Sequence, residues 1–155
     1  MDAARTKASG HEIRSMRGPM IPPRGLDAAG NLRHRQGVEL PWWLPFGVVP
    51  EIPARQLAGD VAAVPGPQLL DARTEGEFAR GHIRGAVCVP IDRLRARLAG
   101  LGLVRDRPVV AICLTAHRSI PAVRLLRRSG FDARQLAGGM VAWRAAGFPE
   151  ERGAG

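Results

Sequence analysis

Cysteine and lysine are nearly absent from this 155-residue chain, and it has no long apolar run. Two cysteines, Cys88 and Cys113, are too few for a disulfide framework or a typical structural zinc site, which leaves room for one of them to do chemistry. Nothing approaches the ~20 apolar residues that span a bilayer, because proline or charge interrupts every candidate, the stretch from Pro41 to Pro50 included. The first thirty residues hold no apolar core of ~7–15 residues and do not read as a secretory signal, so no membrane is expected as a partner and a cytoplasmic location is. Internal repeats and low-complexity runs are missing too. Lys7 is the single lysine among 23 basic residues, and against 14 acidic ones they leave a formal charge of +9. That balance favours anions. The arginines are spread rather than blocked, however, so nucleic acid is not the expected partner, and a genome-wide composition bias would produce the same excess of Arg, Ala and Gly.

What the chain does have is enough Leu, Val, Ile and Ala for one buried core, at a length that suits one domain with an appendage. Its character changes near Pro50. Residues 1–50 mix Gly, Pro and charge without helical or strand period, apart from the cluster Leu40-Pro41-Trp42-Trp43-Leu44-Pro45-Phe46. This is expected to be an irregular basic arm, with residues 1–37 mobile or draped. Its two tryptophans and Phe46 either anchor it on the following domain or form an exposed partner-binding patch. Residues 51–149 alternate strand-like and helix-like segments, the pattern of a mostly parallel α/β sheet with helices on both faces, and residues 150–155 form a tail. The predicted strands are Gln68–Asp71, Ala86–Val89, Val109–Cys113 and Ala133–Leu136. A short helical turn is expected over Glu75–Arg80. A second helix buries Ile91, Leu94, Leu98 and Leu101 and carries Arg93, Arg95 and Arg97 outside, and a third buries Val123, Leu125 and Leu126 and stops at Gly130. A last helix bears Trp143.

Ligands of an open parallel sheet bind beyond the carboxyl ends of its strands, and Cys113 falls there. A cysteine leaving a buried strand for a helix meets unpaired N–H groups and the positive end of the helix dipole, which favour thiolate over thiol. The loop reads Cys113-Leu114-Thr115-Ala116-His117-Arg118-Ser119. Four residues separate the cysteine from Arg118, so curled amides and one guanidinium form a small anion cradle around a candidate nucleophile. A buried structural cysteine is the alternative.

From about residue 51 to 149 the chain resembles the rhodanese (sulfurtransferase) domain. The resemblance rests on Leu70-Asp71-Ala72-Arg73, Glu77-Phe78, Gly81-His82-Ile83-Arg84-Gly85-Ala86, Pro90, the Cys113 to Ser119 loop and Gly138-Gly139-Met140-Val141-Ala142-Trp143, in that order. It implies a five-stranded parallel sheet covered on both sides and a cysteine that carries a sulfane sulfur as a persulfide. The expected reaction takes sulfur from a donor such as thiosulfate and gives it to cyanide or a thiol, with no metal or organic cofactor. Phosphatases and arsenate reductases sharing the fold have one more loop residue, so the shorter loop favours sulfur over a tetrahedral oxyanion. One departure stands out: Ala116 occupies a place where many single-domain relatives have glycine, and a positive φ there would strain an alanine. A catalytically weak module that binds a protein or relays sulfur to one is the alternative function. A tRNA or other macromolecular acceptor, drawn by the positive surface, is a third.

The supporting residues admit bland readings. Asp71 either orients the loop or holds its own turn. Arg73 and Glu77, four apart, resemble the family's fold-stabilising ion pair. His82 reads as a packed scaffold histidine, His117 as a loop residue able to meet an anionic donor, and Cys88 as core or as a resolving thiol.

Overall fold

The computed structural model describes residues 47–153 and, before them, only the backbone of two short strands. The chain divides into two units, residues 1–39 and 40–155. Strands β1 (Leu32–Arg33) and β2 (Glu39–Leu40) pair in a two-stranded sheet, in a stretch where the sequence shows no strand period. The expected docking of Trp42, Trp43 and Phe46, and the mobility expected of residues 1–37, lie outside the described residues.

The α/β fold lies in the second unit. Its elements are β3 (Glu51–Ile52), α1 (Ala54–Ala62), β4 (Gln68–Asp71), α2 (Glu75–Arg80), β5 (Ala86–Cys88), α3 (Ile91–Arg97), β6 (Val109–Ile112), α4 (Ser119–Arg128), β7 (Ala133–Leu136) and α5 (Gly139–Ala145). Five strands form one parallel sheet in the order β3-β7-β6-β4-β5. The fold class is therefore the expected one. Details differ from the sequence reading: β5 stops at Cys88 and β6 at Ile112, each one residue short of its expected end. Helix α3 tightens into a 3-10 turn at Leu98–Gly100 instead of running on to Leu101, and α1 was not anticipated.

Alternation along the strands splits the core in two. Leu69, Val110, Ile112 and Leu136 pack with Leu57 of α1, Phe78 of α2 and Met140 and Trp143 of α5 on one face. On the other, Leu70, Val109, Ala111 and Ala133 meet Leu94 of α3 and Val123 and Leu126 of α4. Both faces are covered, which is why β6 is apolar at every position and buried throughout. No helix among the described residues is long and apolar enough to cross a membrane.

The strand order also creates the site. Neighbours β4 and β6 send their chains in opposite directions, β4 through α2 to β5 and β6 through α4 to β7. Their loops part at the carboxyl edge, at the switch point where open sheets of this kind bind ligands. Asp71 closes β4 on one side of it, and Cys113 follows β6 on the other.

Candidate active site

Ile112 ends β6, and the chain then curls through residues 113–118 before α4 begins at Ser119. The curl depends on Ala116, whose φ of +67° makes it the one non-glycine residue with positive φ among those described. Such a residue draws successive N–H groups toward one side and makes a concavity for an anion. Among the described residues, no acceptor pairs with the backbone N–H groups of residues 114–119. The cradle is thus a set of uncommitted donors.

Its first two carbonyls are committed. The first turn of α5 donates from Met140 N to Cys113 O (2.8 Å) and from Val141 N to Leu114 O (3.1 Å). Gly139 lies against these two carbonyls with φ +58°, and a Cβ there would overlap both oxygens. This is the physical reason for the second glycine of the Gly138-Gly139 pair: α5 splints the front of the loop only if its backbone can come this close.

The back of the loop is tied elsewhere. Arg118 Nη1 and Nη2 donate to Glu77 Oε2 and Oε1, both at 2.6 Å, a bidentate pair across 41 residues of sequence. Glu77 also closes a capping box at the start of α2, accepting from Thr74 N while its own N–H donates to Thr74 Oγ1. The Arg118 guanidinium first, and the Thr74 donors after it, hold the Glu77 carboxyl down at about 2. Arg118 therefore stands at the rim with its charge matched by a carboxylate. His117 and Thr115 are exposed on the outer side of the loop and bonded to each other, Nδ1 to Oγ1 at 3.0 Å.

The expected ion pair between Arg73 and Glu77 does not form. Arg73 pairs with Asp71 instead, through Nε (2.9 and 3.0 Å) and Nη2 (2.6 Å), and its Nη2 also reaches Gly81 O. The reason is local: Arg73 precedes the N-cap of α2, so the four-residue spacing is not a helical one, while Asp71 stands at the strand end directly beneath it. Glu77 gives Arg73 only its backbone carbonyl, at 3.3 Å. Asp71 and Arg73 are both buried, and Asp71 Oδ1 also accepts from Arg73 N, holding the turn that follows β4.

His82 stacks on Phe78, with ring centres 3.7 Å apart, and bonds Phe78 O through Nδ1, a scaffold position. Cys88 sits at the end of β5 with its thiol toward Arg73 O, and burial together with the Asp71 carboxylate pushes that thiol up. Cys88 and Ile112 stand in register with Asp71 from opposite sides, so about 10 Å of sheet separates Cys88 from the Cys113 strand. That is beyond disulfide reach without backbone movement, and the structure does not bring the two thiols together.

Cys113 itself is 1% exposed. Its Sγ lies 3.3 Å from Ser119 Oγ, which donates to Gln135 Oε1 at 2.7 Å, and Gln135 Nε2 donates to Glu51 Oε1 at 2.5 Å. Sequence reasoning missed Gln135 and Glu51. The one available signal was a glutamine among the inward-facing positions of a buried strand.

A strand-end cysteine heading a short loop of free amides at the switch point of a five-stranded sheet narrows the choice of family. The profile of the rhodanese-like domain matches residues 54–146. This chain belongs to the rhodanese-like domain family. Among its relatives, an HTH-type transcriptional regulator of Mycobacterium tuberculosis is 40% identical over 106 residues, which are 67% of this chain and 43% of the regulator. A sulfurtransferase of Allochromatium vinosum is 32% identical over 66% of this chain and 94% of its own length. The chain thus spans less than half of the first relative and nearly all of the second. Of solved structures, a rhodanese-related protein of Thermoplasma volcanium superposes with a TM-score of 0.60 at 29% identity, covering 66% of this chain and 98% of that one. A thiosulfate sulfurtransferase of Pseudomonas aeruginosa gives 0.61 at 32%, covering 68% and 20%. The matched segment takes in every element from α1 to α5, and β3 lies just before it. Among the described residues no cluster of His, Cys, Asp or Glu could hold a metal ion.

Proposed function

We propose that this chain is a sulfurtransferase in which Cys113 carries a sulfane sulfur between a small donor such as thiosulfate and a thiol or cyanide acceptor. The observation that carries the reading is the loop: Cys113 at the head of a curl whose N–H groups, residues 114–119, are bound to no acceptor among the described residues. Membership of the rhodanese-like family and the sulfurtransferases among its relatives support sulfur transfer as the class of reaction. In the first half-reaction the Cys113 thiolate attacks the outer sulfur of thiosulfate, the S–S bond of the donor breaks, and sulfite leaves with the bonding pair. The product is a Cys113 persulfide whose terminal sulfur bears the charge that the Leu114 to Ser119 amides are placed to receive. In the second, the acceptor takes that outer sulfur and the thiolate returns. Arg118 is the rim cation, with Glu77 as the partner an incoming sulfonate would compete against. Cys113 is buried, so the donor reaches the sulfur only after a local opening around it.

Mass spectrometry after thiosulfate treatment tests this. A cyanide-labile gain of one sulfur on Cys113, lost in Cys113→Ser, is the expected result. Wild-type turnover in Cys113→Ser would end the reading. A second reading has its own support in the likeness to a transcriptional regulator: a relay or sensing module that loads slowly and passes sulfur, or a signal, to a protein partner. Single-turnover loading separates the two, since a full persulfide formed rapidly by the isolated chain favours the enzyme.

A further inference from the structure

Four polar groups behind the loop form a chain whose direction can be worked out from one end. Glu51, exposed on the edge strand β3, presents a carboxylate, which only accepts. Gln135 therefore turns its amide nitrogen to Glu51 and its amide oxygen to Ser119. Both inner members are sealed from water, Gln135 at 3% exposure and Ser119 at 0%, so neither has solvent as an alternative partner. An amide oxygen also only accepts, and Ser119 has a single hydroxyl proton to give it. What Ser119 then offers Cys113 is a lone pair. A thiol suits that lone pair, donating S–H to it across 3.3 Å; a thiolate or persulfide anion would face it without a proton between them.

We propose that Glu51 and Gln135 are positioning residues that hold the Ser119 hydroxyl turned away from Cys113, so that the nucleophile rests as a capped thiol and is released only when this chain of bonds reverses. Ionising Cys113 sends its proton to solvent. The Ser119 hydroxyl then swings from Gln135 Oε1 to the sulfur, leaving a buried amide oxygen without its donor unless Gln135 turns over, which the Glu51 carboxylate opposes. The resting polarity thus works against the loop amides. The inference deepens the sulfur-transfer reading by naming what governs its nucleophile, yet it concerns thiol reactivity alone and is tested without any sulfur donor.

Charge and bond direction can be separated by substitution at Glu51, an exposed side chain that can be replaced without touching the core. Glu51→Gln frees Gln135 to take either orientation. Glu51→Lys only donates, so it compels Gln135 to point its nitrogen at Ser119 and the Ser119 proton at Cys113. The measurement is the pH profile of iodoacetamide alkylation at Cys113, followed by peptide mass so that Cys88 is counted separately. Alkylation on the acid side of the profile should rise from wild type through Glu51→Gln to Glu51→Lys, by roughly tenfold in all, with the profile displaced to lower pH. The other charged groups around the loop are common to all three proteins: Arg118 with Glu77 on α2, Asp71 with Arg73 at the end of β4, and His117. In a Ser119→Ala background the hydroxyl is gone, and with both backgrounds measured at the same salt the three residues at position 51 should give profiles whose spread is largely lost, while a through-space effect of charge on the buried Cys113 would keep it. Displacements that survive undiminished in Ser119→Ala would make the effect one of charge and overturn the proposal, as would three identical profiles with Ser119 present. Failure of thiosulfate to load Cys113 would defeat the proposed function and leave this ordering unaffected.

Discussion

Replacing Ala116 by glycine should make the protein more stable, although it removes a methyl group and loosens the unfolded chain. An L-residue in the left-handed region brings its Cβ against the following carbonyl, at a cost of about 1–2 kcal/mol that glycine does not bear. Opposing this, glycine gives the unfolded state more freedom, about 0.4–1 kcal/mol. Ala116 is only half-buried at φ +67°, so little packing is lost, and the net gain is about 0.5–1 kcal/mol. In a domain of this size that corresponds to about 3–5 °C in Tm. Thermal unfolding of four proteins tests the reasoning better than one pair, because the conformation predicts an order: Gly highest, then Asn, which tolerates positive φ, then Ala, then Val, whose branched Cβ does not. Refutation would be a Tm for Ala116→Gly at or below wild type, or a valine variant as stable as alanine, either of which would mean that the loop does not need a left-handed residue at this point.

Glu77→Gln should cost about 1–2 kcal/mol at neutral pH, since the drop of its carboxyl from 4.5 to about 2 sets an upper bound near 3 kcal/mol that partial exposure reduces. The folded carboxyl is the stronger acid, so this stabilisation is complete above the unfolded value and fades as the pH falls from 4.5 toward about 2; urea titrations of the two proteins should converge across that window. Arg73→Met strands the buried Asp71 carboxylate and should destabilise by about 3–5 kcal/mol by the same measure, whereas the double change Asp71→Leu with Arg73→Met should recover much of the loss. Gly139→Ala should disturb the Cys113 loop more than the sheet: Cys113 alkylation becomes faster as the loop loses its splint, while far-UV circular dichroism stays near wild type. Unchanged alkylation would show that α5 does not hold the loop.

The sheet and the candidate cysteine at its edge were legible for one reason: β6 is a run of apolar residues opened by Pro108 and followed by a cysteine, and burial on both faces leaves no polar position to obscure it. Helix α1 was not, because its inward stripe of Ala54, Leu57, Ala58 and Val61 has a single large side chain, Leu57, and is interrupted by Gly59 and Asp60. Spacing misled at Arg73, where a rule for helices was applied to a residue outside the helix. The Arg118 pairing and the Glu51 to Ser119 chain could not be read at all. Glu77 lies 41 residues from Arg118, and Glu51 lies 84 from Gln135, brought together only by the parallel register of β3 on β7. Local pattern marks the candidate residues; strand order decides which of them meet.

The splinting of the Cys113 loop by α5 sets a timetable for the polypeptide as it is made. Cys113 leaves the ribosome before the residues that give its loop a shape, because Met140 and Val141 follow it by about thirty positions and the strand that pairs with β3 comes between them. Until α5 has emerged, the carbonyls of Cys113 and Leu114 have no partner and the amides beyond them no fixed direction. In a growing chain the loop therefore lacks its shape, and it takes one only when the last helix of the sheet domain closes against it.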